Sequence, residues 1–427
     1  MKTDILIAGS GCSGLYMALK LSSKRDITVI TKADLESSDS FLAQGGMCTL
    51  KEEADYDSFY EDTMRAGHYE NDKVSVDIMI RNSPFVLADL LDYGAQFERE
   101  ESGGLAFTRE GAHSNKRIVF HEDTTGREIT KTLLEEVKTR KNIHLIEHTA
   151  MIDIIEKDNK CYGVVVRKED GQAEAIYADY TVWATGGVGG VYSHSTNFRH
   201  LTGDSIAIAV NHGIKLKDVD YVQIHPTTLY SERPEDRSFL ISESVRGEGA
   251  YLLDKNGNRF VDELLPRDVV TKAIYEQMKK DGTDFVWEDL RPIGEEEIKH
   301  HFPAIVEHCR EMGYDVFNEC IPVVPAQHYF MGGIEVDHNS MTSMKHLYAV
   351  GETACNGVHG KNRLASNSLL ESLVFAARAA ADIAVNYEPI SESIDVDIES
   401  YDEIVENTYA DIARDAIRSA AEKRQAQ

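Results

Sequence analysis

Three glycines near the start of the chain have the spacing of a phosphate-binding loop. Gly9, Gly11 and Gly14 follow the apolar residues 5–8 and precede a stretch, 15–21, whose apolar residues share one helical face. Glycine lets a backbone turn tightly and approach a pyrophosphate, and a helix start offers unpaired N–H groups and a positive dipole end. The loop predicts a bound dinucleotide, with a plain structural turn as the alternative.

The second predicted strand bears on which dinucleotide is bound. Residues 27–30 are apolar and lie at the distance expected of a βαβ unit, but they continue into Thr31 and Lys32. The usual acidic ribose ligand is missing there, and Asp34 or Glu36 is the remaining acidic candidate. On these residues alone NAD and FAD stay open as alternatives.

Other polar residues stand at the ends of predicted elements. The loop at 108–114 carries more charge types than a turn requires. Asp204 opens a predicted helix, where capping is the commoner use of aspartate. A predicted strand runs into a second glycine-rich turn at 186–190, and another ends at Glu352. Because the chain contains two such glycine turns, chance is a poor explanation for the glycine spacing at 9–14.

Composition narrows the class of partner. The 427 residues include 45 basic and 73 acidic ones, a net charge of −28, which disfavours nucleic acid and anionic membrane surfaces. The six cysteines show no paired spacing, so neither a disulfide framework nor a metal site is expected, and a cytoplasmic location fits. No apolar run approaches the roughly 20 residues of a membrane-spanning helix.

The order of predicted elements indicates an α/β fold. Helical periodicity is found at 57–66, 74–93 and 127–140. Ser83 and Pro84 should perturb the second of these helices. Apolar alternation predicts a β-meander inserted in the nucleotide domain, with strands at 143–155, 161–168 and 174–184.

The pattern changes near residue 219, where a smaller domain is expected to begin. A hairpin at 251–261 should turn at Asn256 and Gly257, and a helix should run from Pro266 through Met278. Beyond this domain the nucleotide domain resumes with a strand at 346–350. The predicted division is 1–218 and 330–390 for the nucleotide domain, 219–329 for the inserted domain, and 391–427 for an acidic, then helical, tail.

A last helix is predicted in the resumed nucleotide domain. Ser368 and Glu371 have the spacing of a capping box, so the helix should start there and continue to about Val385. Its positive end suits the electron-rich edge of a reduced flavin.

Taken in order, these motifs resemble those of the succinate dehydrogenase and fumarate reductase flavoprotein family. The matching residues are Gly9 to Gly14, Ala43-Gln44-Gly45-Gly46, Ala184-Thr185-Gly186-Gly187, His225-Pro226-Thr227, Arg246-Gly247-Glu248-Gly249, Pro266-Arg267-Asp268, Gly351-Glu352 and Asn362-Arg363-Leu364-Ala365-Ser366-Asn367-Ser368-Leu369. The resemblance implies a Rossmann-like FAD-binding domain with an inserted α+β capping domain and a shortened C-terminal helical tail.

Two features are similar to the branch of this family that oxidises L-aspartate. Members with covalent flavin carry a histidine shortly before the Ala-Gln-Gly-Gly motif, whereas this chain has Ser38-Asp39-Ser40-Phe41, which implies noncovalent FAD. The 108–114 loop resembles one whose glutamate, here Glu110, is linked to recognition of the substrate's amino group. Lys32 also fits this branch and replaces the missing acid as a cofactor ligand.

The resemblance assigns residues by position. Those implied to hold FAD are Ser10, Gly11, Cys12, Ser13, Lys32, Asp39, Ser40, Phe41, Leu42, Ala43, Gln44, Gly45, Gly46, Asp204, Glu352, Ser368 and Leu369. Those implied to act on or bind the substrate are Arg267, Glu110, His225, His328 and Arg363, with Gln223, Ser242, Glu243 and Arg246. Arginines suit a C4 dicarboxylate because each binds a carboxylate with two parallel hydrogen bonds.

The implied activity is oxidation of L-aspartate to iminoaspartate, with O₂ or fumarate as oxidant. Arg267 takes the family's proton-transfer position, although an arginine pKa above about 12 makes its neutral form costly. Quinolinate synthase is the expected consumer of the product, on the route to NAD. The alternatives are a fumarate reductase or succinate-oxidising flavoprotein, and a weakly catalytic FAD-binding subunit that needs a partner.

Overall fold

The computed structural model describes residues 1–231, 237–392, 394–401 and 407–426. The strands are β1 (Lys2–Ala8), β2 (Ile27–Ile30), β3 (Met47–Cys48), β4 (Ile118–Val119), β5 (Ile143–Ile146), β6 (Thr149–Lys157), β7 (Lys160–Lys168), β8 (Ala173–Trp183), β9 (Leu216–Lys217), β10 (Val222–Leu229), β11 (Tyr251–Leu253), β12 (Val286–Asp289), β13 (Ile321–Phe330), β14 (Gly333–Glu335), β15 (Leu347–Ala349) and β16 (Ala354–Cys355). The α-helices are α1 (Cys12–Lys20), α2 (Asp39–Leu42), α3 (Tyr56–Ala66), α4 (Lys73–Asp92), α5 (Thr125–Lys138), α6 (Asp204–Asn211), α7 (Glu243–Gly247), α8 (Arg267–Asp281), α9 (Glu295–His301), α10 (Pro303–Glu311), α11 (Asn367–Asn386) and α12 (Asn407–Gln425).

A seven-stranded sheet forms the centre of the nucleotide-binding part. Its order is β5-β2-β1-β8-β7-β6, and β15 pairs with the last residues of β8. The parallel pairs β1–β2, β1–β8 and β2–β5 give the α/β arrangement predicted from the sequence. Helices α1, α4, α5 and α11 contribute to the core on one face of the sheet, and α6 and α12 contribute to the core on the other.

The predicted β-meander is present as β6, β7 and β8, but its first strand was placed wrongly. The apolar run 143–155 is divided between β5 and β6, which lie at opposite edges of the sheet. His148, between them, has a φ of 50°, in the left-handed region that interrupts a strand. β8 also pairs with β1, so the meander extends the nucleotide-binding sheet rather than standing apart from it.

Helix α4 continues through Pro84, where the sequence predicts a perturbation, because the neighbouring Ser83 replaces the missing hydrogen bond. Proline has no N–H to donate to the carbonyl of Ile80, four residues earlier. The Ser83 hydroxyl donates to that carbonyl instead, at 2.7 Å, and accepts the N–H of Leu50 at 2.8 Å. A buried serine thereby satisfies two backbone groups.

The segment between residues 219 and 330 contains a separate antiparallel sheet, whose strand order is β10-β13-β12-β11. Its apolar core includes residues of α7, α8, α9 and α10. The predicted hairpin is reduced to a turn at Asn256 and Gly257 and a single bridge between Leu253 and Arg259, because β11 pairs with β12 instead. The predicted helix at Pro266 begins at Arg267 and ends at Asp281.

The capping box predicted at Ser368 is wrong. Helix α11 begins at Asn367, after Ser366 in a left-handed conformation, and no side chain caps it. The Ser368 hydroxyl accepts from Arg363 at 3.2 Å, while Glu371 accepts from Asn356. Contacts with the loop that precedes α11 replace the capping bonds.

The predicted tail contains helix α12, which packs against α6 and places Tyr409 and Ala413 in the buried core. Residues 393, 402–406 and 427 of that predicted segment lie outside the described part of the chain. Within the described part, none of the helices combines the length and the apolar character needed to cross a lipid bilayer.

The Ser83 contacts lead to a stability prediction. We expect Ser83→Ala to lower the free energy of unfolding by about 1–3 kcal/mol, because it leaves the Leu50 N–H and the Ile80 carbonyl unpaired. The double variant Ser83→Ala with Pro84→Ala should recover part of the loss, since the Pro84→Ala change restores an N–H that can donate to the Ile80 carbonyl. Denaturant titration followed by circular dichroism measures both, and an unchanged Ser83→Ala variant would contradict the account.

Candidate active site

One continuous cleft brings together most of the residues that the sequence singled out. At one end its walls include Ser10, Gly11, Cys12, Ser13, Lys32, Asp39, Ser40, Phe41, Leu42, Ala43, Gln44, Gly45, Gly46, Asp204, Glu352, Ser368 and Leu369. Towards the second sheet they include Glu110, His225, Ser242, Glu243, Arg267, His328 and Arg363. Gln223 and Arg246 are the exceptions, and lie behind this wall.

The glycine loop at the first end fits a pyrophosphate. Helix α1 begins after Gly11, which provides no side-chain cap, and of its first N–H groups that of Cys12 donates to Ser40 Oγ at 3.1 Å. A Cβ at Gly14 would overlap the carbonyl oxygen of Gly9, which makes glycine necessary there. The loop and helix therefore have the geometry of a phosphate cradle.

Lys32, rather than either acidic alternative, lines the cleft after β2. Its ammonium lies 2.7 Å from the Asp204 carboxylate and 3.2 Å from the Thr202 hydroxyl. Asp34 instead pairs with His148 at 3.1 Å, and neither Asp34 nor Glu36 is among the cleft residues. The acidic alternatives for a ribose ligand are thus displaced from the site.

The middle of the cleft holds buried polar atoms that have no protein partner. Among the described residues these include Ser38 Oγ, Asp39 Oδ2 and Gln44 Oε1. Glu352 accepts the N–H of Phe330 at 2.9 Å, and burial, followed by repulsion from Asp39, raises the pKa of its carboxyl. Unpaired buried polar groups are costly unless a ligand pairs with them, so this donor and acceptor set fits the many polar groups of FAD.

Arg267 is held in the substrate end of the cleft by an ion pair. Its Nε donates to Glu243, and its Nη1 donates to Gln223 Oε1 at 2.9 Å. Arg246 lies 3.7 Å from the same Glu243 carboxylate. Although burial raises the pKa of Glu243, Arg267 and Arg246 together hold it below its ordinary value. Gln223 and Arg246 are placed to support Arg267 rather than to contact a ligand.

His225 and His328 lie beside Arg267, with their ring centres 5.1 Å apart. Thr196 Oγ1 lies 2.8 Å from His328 Nδ1, and His225 Nδ1 lies 3.0 Å from the Thr227 carbonyl. Burial, and then the charge of Arg267, lowers the pKa of both rings well below the ordinary value. Both histidines are neutral near pH 7 and can act as hydrogen-bonding groups.

Arg363 is also a buried cation, but it differs from Arg267 in its hydrogen-bond partners. Its Nη1 donates to the Ser368 hydroxyl at 3.2 Å, but within the described ranges no carboxylate forms an ion pair with it, and its Nε has no partner. Burial, followed by repulsion from Arg267, lowers the pKa of Arg363 to about 10, so it stays charged. Such a cation can bind an incoming carboxylate without first breaking an ion pair.

Glu110 reaches the cleft from the polar loop. Its carboxylate accepts hydrogen bonds from Ser244 at 2.8 Å and from Ser366 at 2.5 Å, and Ser366 also accepts the Gly46 N–H at 3.1 Å. Burial and the neighbouring Glu243 raise the pKa of Glu110. A nearby cation would favour its ionised form, so Glu110 is suited to an ammonium group.

Arg117 anchors the loop that carries Glu110, a contribution that the sequence did not reveal. Its buried guanidinium bonds Asp55 at 2.9 and 3.0 Å, Asp62 at 2.7 Å and His113 Nδ1 at 3.0 Å. Although burial opposes it, the hydrogen bond from Arg117 helps to lower the pKa of Asp55 to about 2. The network fixes the loop on helix α3.

Three hydroxyl groups also escaped sequence reasoning: Thr196 on His328, and Ser244 and Ser366 on Glu110. Ser366 belongs to a motif already singled out, which was the available signal. The partners of Thr196 and Ser244 lie 132 and 134 positions away in the chain, so no local pattern identifies them.

Comparison with known proteins supports FAD as the ligand of this cleft. A family model described as an FAD binding domain matches residues 4–369. The L-aspartate oxidase of Clostridium perfringens is 51% identical over 380 residues, 89% of this chain and 86% of that protein. The L-aspartate oxidase of Clostridium acetobutylicum is 48% identical over 383 residues, covering 90% and 88% respectively.

Among solved structures, a quinol fumarate reductase chain of Escherichia coli superposes with a TM-score of 0.86 and 32% identity, covering 92% of this chain and 72% of that one. The fold and cleft therefore define an FAD-dependent flavoprotein, and the predicted fold class is confirmed. Within that class the chain belongs to the L-aspartate oxidase family.

The Arg117 network generates a testable consequence. We expect Arg117→Met to lower the free energy of unfolding by about 3–5 kcal/mol, because Asp55 loses the ion pair that compensates its buried charge and Asp62 is left with its ion pair to Arg65. Arg81→Met is the matched control, since Arg81 forms its ion pairs with Asp77 and Glu53 at the surface. The control should leave the unfolding midpoint unchanged. Equal midpoints for the two variants would contradict the role given to Arg117.

Proposed function

We propose that the chain oxidises L-aspartate to iminoaspartate with noncovalently bound FAD, on the route to quinolinate and NAD. The observation that carries the proposal is the joint placement of Arg267, Arg363 and Glu110 in one buried cleft. Two cations suit the two carboxylates of the substrate, and one carboxylate suits its amino group. The names of the relatives support the same substrate.

When bound, FAD supplies the acceptor for the hydride that leaves the substrate's α-carbon. The glycine loop and α1 would hold its pyrophosphate, while Lys32, Asp204 and Glu352 would bind polar groups nearby. The segment 38–46 would lie against the remainder of the cofactor. No histidine precedes Ala43 in this segment, which favours a noncovalent cofactor.

The substrate end would orient the α-carbon by its two carboxylates. Arg363 binds one and Arg267, with neutral His225 and His328, binds the other, and the Ser242 hydroxyl lies in the same wall. Holding both ends fixes the direction of the C–H bond, which is the main way that positioning lowers such a barrier. Glu110 then distinguishes an amino acid from a plain dicarboxylate.

Arg267 would also serve at the proton-transfer position. Glu243 keeps the guanidinium oriented, and Gln223 and Arg246 support the pair from behind. A proton that moves through Arg267 can be exchanged with Glu243, the group to which its Nε donates. The arrangement therefore connects the cleft to a buried acid.

The proposal also covers the electron acceptor, the enzyme that consumes the product and the cellular location. The electrons would pass to O₂, giving hydrogen peroxide, or to fumarate, giving succinate. Quinolinate synthase would consume iminoaspartate, and the unpaired cysteine pattern favours the cytoplasm. Succinate oxidation is the second candidate, because Arg267 and Arg363 serve any C4 dicarboxylate.

Anaerobic titration of the holoenzyme separates these activities. We expect L-aspartate to bleach the flavin absorption and succinate to leave it unchanged, because only the amino acid engages Glu110. Bleaching by succinate alone would favour the second candidate. A flavin that responds to neither dicarboxylate would indicate an FAD-binding subunit that needs a partner.

Substitution of Glu110 tests recognition of the amino group. We expect Glu110→Gln to raise KM for L-aspartate on the order of 10- to 100-fold, the loss of a hydrogen bond between charged groups. The dissociation constant of succinate, measured by flavin difference spectra, should change much less. A parallel rise for both ligands would remove amino-group recognition from Glu110.

Substitution of Arg267 tests the proton-transfer position. We expect Arg267→Leu to remain yellow while kcat falls at least about 100-fold, within the range of general acid–base contributions. Arg267→Lys is the control, since it keeps a positive charge beside Glu243. Turnover by Arg267→Leu at the native rate would exclude Arg267 from catalysis.

A further inference from the structure

Tyr329 lies in the cleft wall beside the arginine that we assign to a substrate carboxylate. The Arg363 guanidinium stands over the Tyr329 ring, 4.4 Å from the ring centre. Both side chains are buried, and both belong to the lining of the cleft. Tyr329 has no role in the function proposed above.

A buried guanidinium must be compensated, and this chain does so in two ways. Arg117 is paired with Asp55 and Asp62, and Arg267 is paired with Glu243. Arg363 has no such carboxylate among the described residues. Besides the Ser368 hydroxyl oxygen, to which Nη1 donates, the face of the Tyr329 ring is a source of negative potential in contact with the guanidinium.

The two kinds of compensation have different consequences for a ligand. A carboxylate partner occupies the in-plane N–H donors of a guanidinium, and an incoming carboxylate must compete for them. A ring stacked on the face leaves those donors available. Nε of Arg363 is indeed unpaired in this structure.

We propose that Tyr329 is a positioning residue that holds Arg363, through the face of its ring, in the orientation that receives a substrate carboxylate. The inference rests on the anion-binding role proposed for Arg363. It adds to that role the reason why the cation is both stable in a buried place and open to an anion.

The groups behind Tyr329 agree with this assignment. The His359 ring packs perpendicular to Tyr329 with ring centres 5.4 Å apart, and His359 Nε2 lies 4.0 Å from Glu371. Burial, followed by the charge of Arg363, lowers the pKa of His359 well below its ordinary value, so this ring is neutral. No second cation from His359 therefore competes for the Tyr329 ring.

The test compares Tyr329→Leu with Tyr329→Phe in the FAD-loaded protein. The probe is malonate, a dicarboxylate without an amino group, whose dissociation constant is read from flavin difference spectra. We expect Tyr329→Leu to weaken malonate binding on the order of tenfold, because the ring face is lost. Tyr329→Phe, which keeps the ring, should recover most of that affinity. Equal losses in the two variants would overturn the proposal.

A double-mutant cycle separates positioning from general disruption of the wall. In an Arg363→Met background, Tyr329→Leu should weaken malonate binding less than about twofold, because its effect acts through the guanidinium. A loss as large as that in the native background would overturn the proposal. Should Tyr329→Leu fail to fold, a series of fluorinated phenylalanines at 329 gives the same test at nearly constant shape. Malonate affinity should fall with each fluorine, and a constant affinity would overturn the inference.

The malonate probe also keeps this inference distinct from the proposed function. If L-aspartate does not bleach the flavin but malonate affinity still depends on the aromatic ring at position 329, the proposed substrate is wrong and the role of Tyr329 stands. If L-aspartate bleaches the flavin but malonate affinity does not depend on the ring at position 329, the proposed function stands and the role of Tyr329 is wrong.

Discussion

The register of strand β8 is the constraint on which the cofactor cleft depends. Trp183, its last residue, is level with Ala8 at the end of β1 and with Ala349 at the end of β15. Because parallel strands end at the same edge, the glycine turns after all three strands meet there. Their approach leaves no room for side chains: a Cβ at Gly9 would overlap the Ala184 carbonyl, and one at Gly187 would meet Glu352.

The substrate end depends instead on how buried charges are compensated. The chain carries a net charge of −28, yet it places Arg267 and Arg363 together in one cleft, where burial and then the charges of both arginines lower the pKa of His328. Arg267 keeps a carboxylate partner and a fixed orientation, whereas Arg363 has none among the described residues. This difference is the basis for the proposed assignment of Arg267 to proton transfer and of Arg363 to anion binding.

The orientation of Glu110, the proposed partner of the substrate's amino group, depends on three segments that are distant in the chain. Glu110 comes from a loop anchored by Arg117, and its hydrogen-bond donors are Ser244 in α7 and Ser366 before α11. The Glu110 carboxylate is oriented only when these segments pack together. This coupling explains why a loop that looks merely polar in the sequence becomes a specific part of the site.

Local sequence patterns are sufficient to predict part of the fold and of the site. Gly9 to Gly14 and the strand periodicity indicated the nucleotide fold, and the ordered motifs placed all but Gln223 and Arg246 in the cleft wall. Tertiary structure alone decided the split of 143–155 into strands at opposite edges and the use of Ser368 for Arg363 rather than for capping. It also decided the partners of Arg117, Ser244 and Tyr329. Periodicity and capping act over a few residues, whereas the contacts of Arg117 with Asp55, of Ser244 with Glu110 and of Tyr329 with Arg363 join positions tens to hundreds of residues apart, so only the folded chain specifies them.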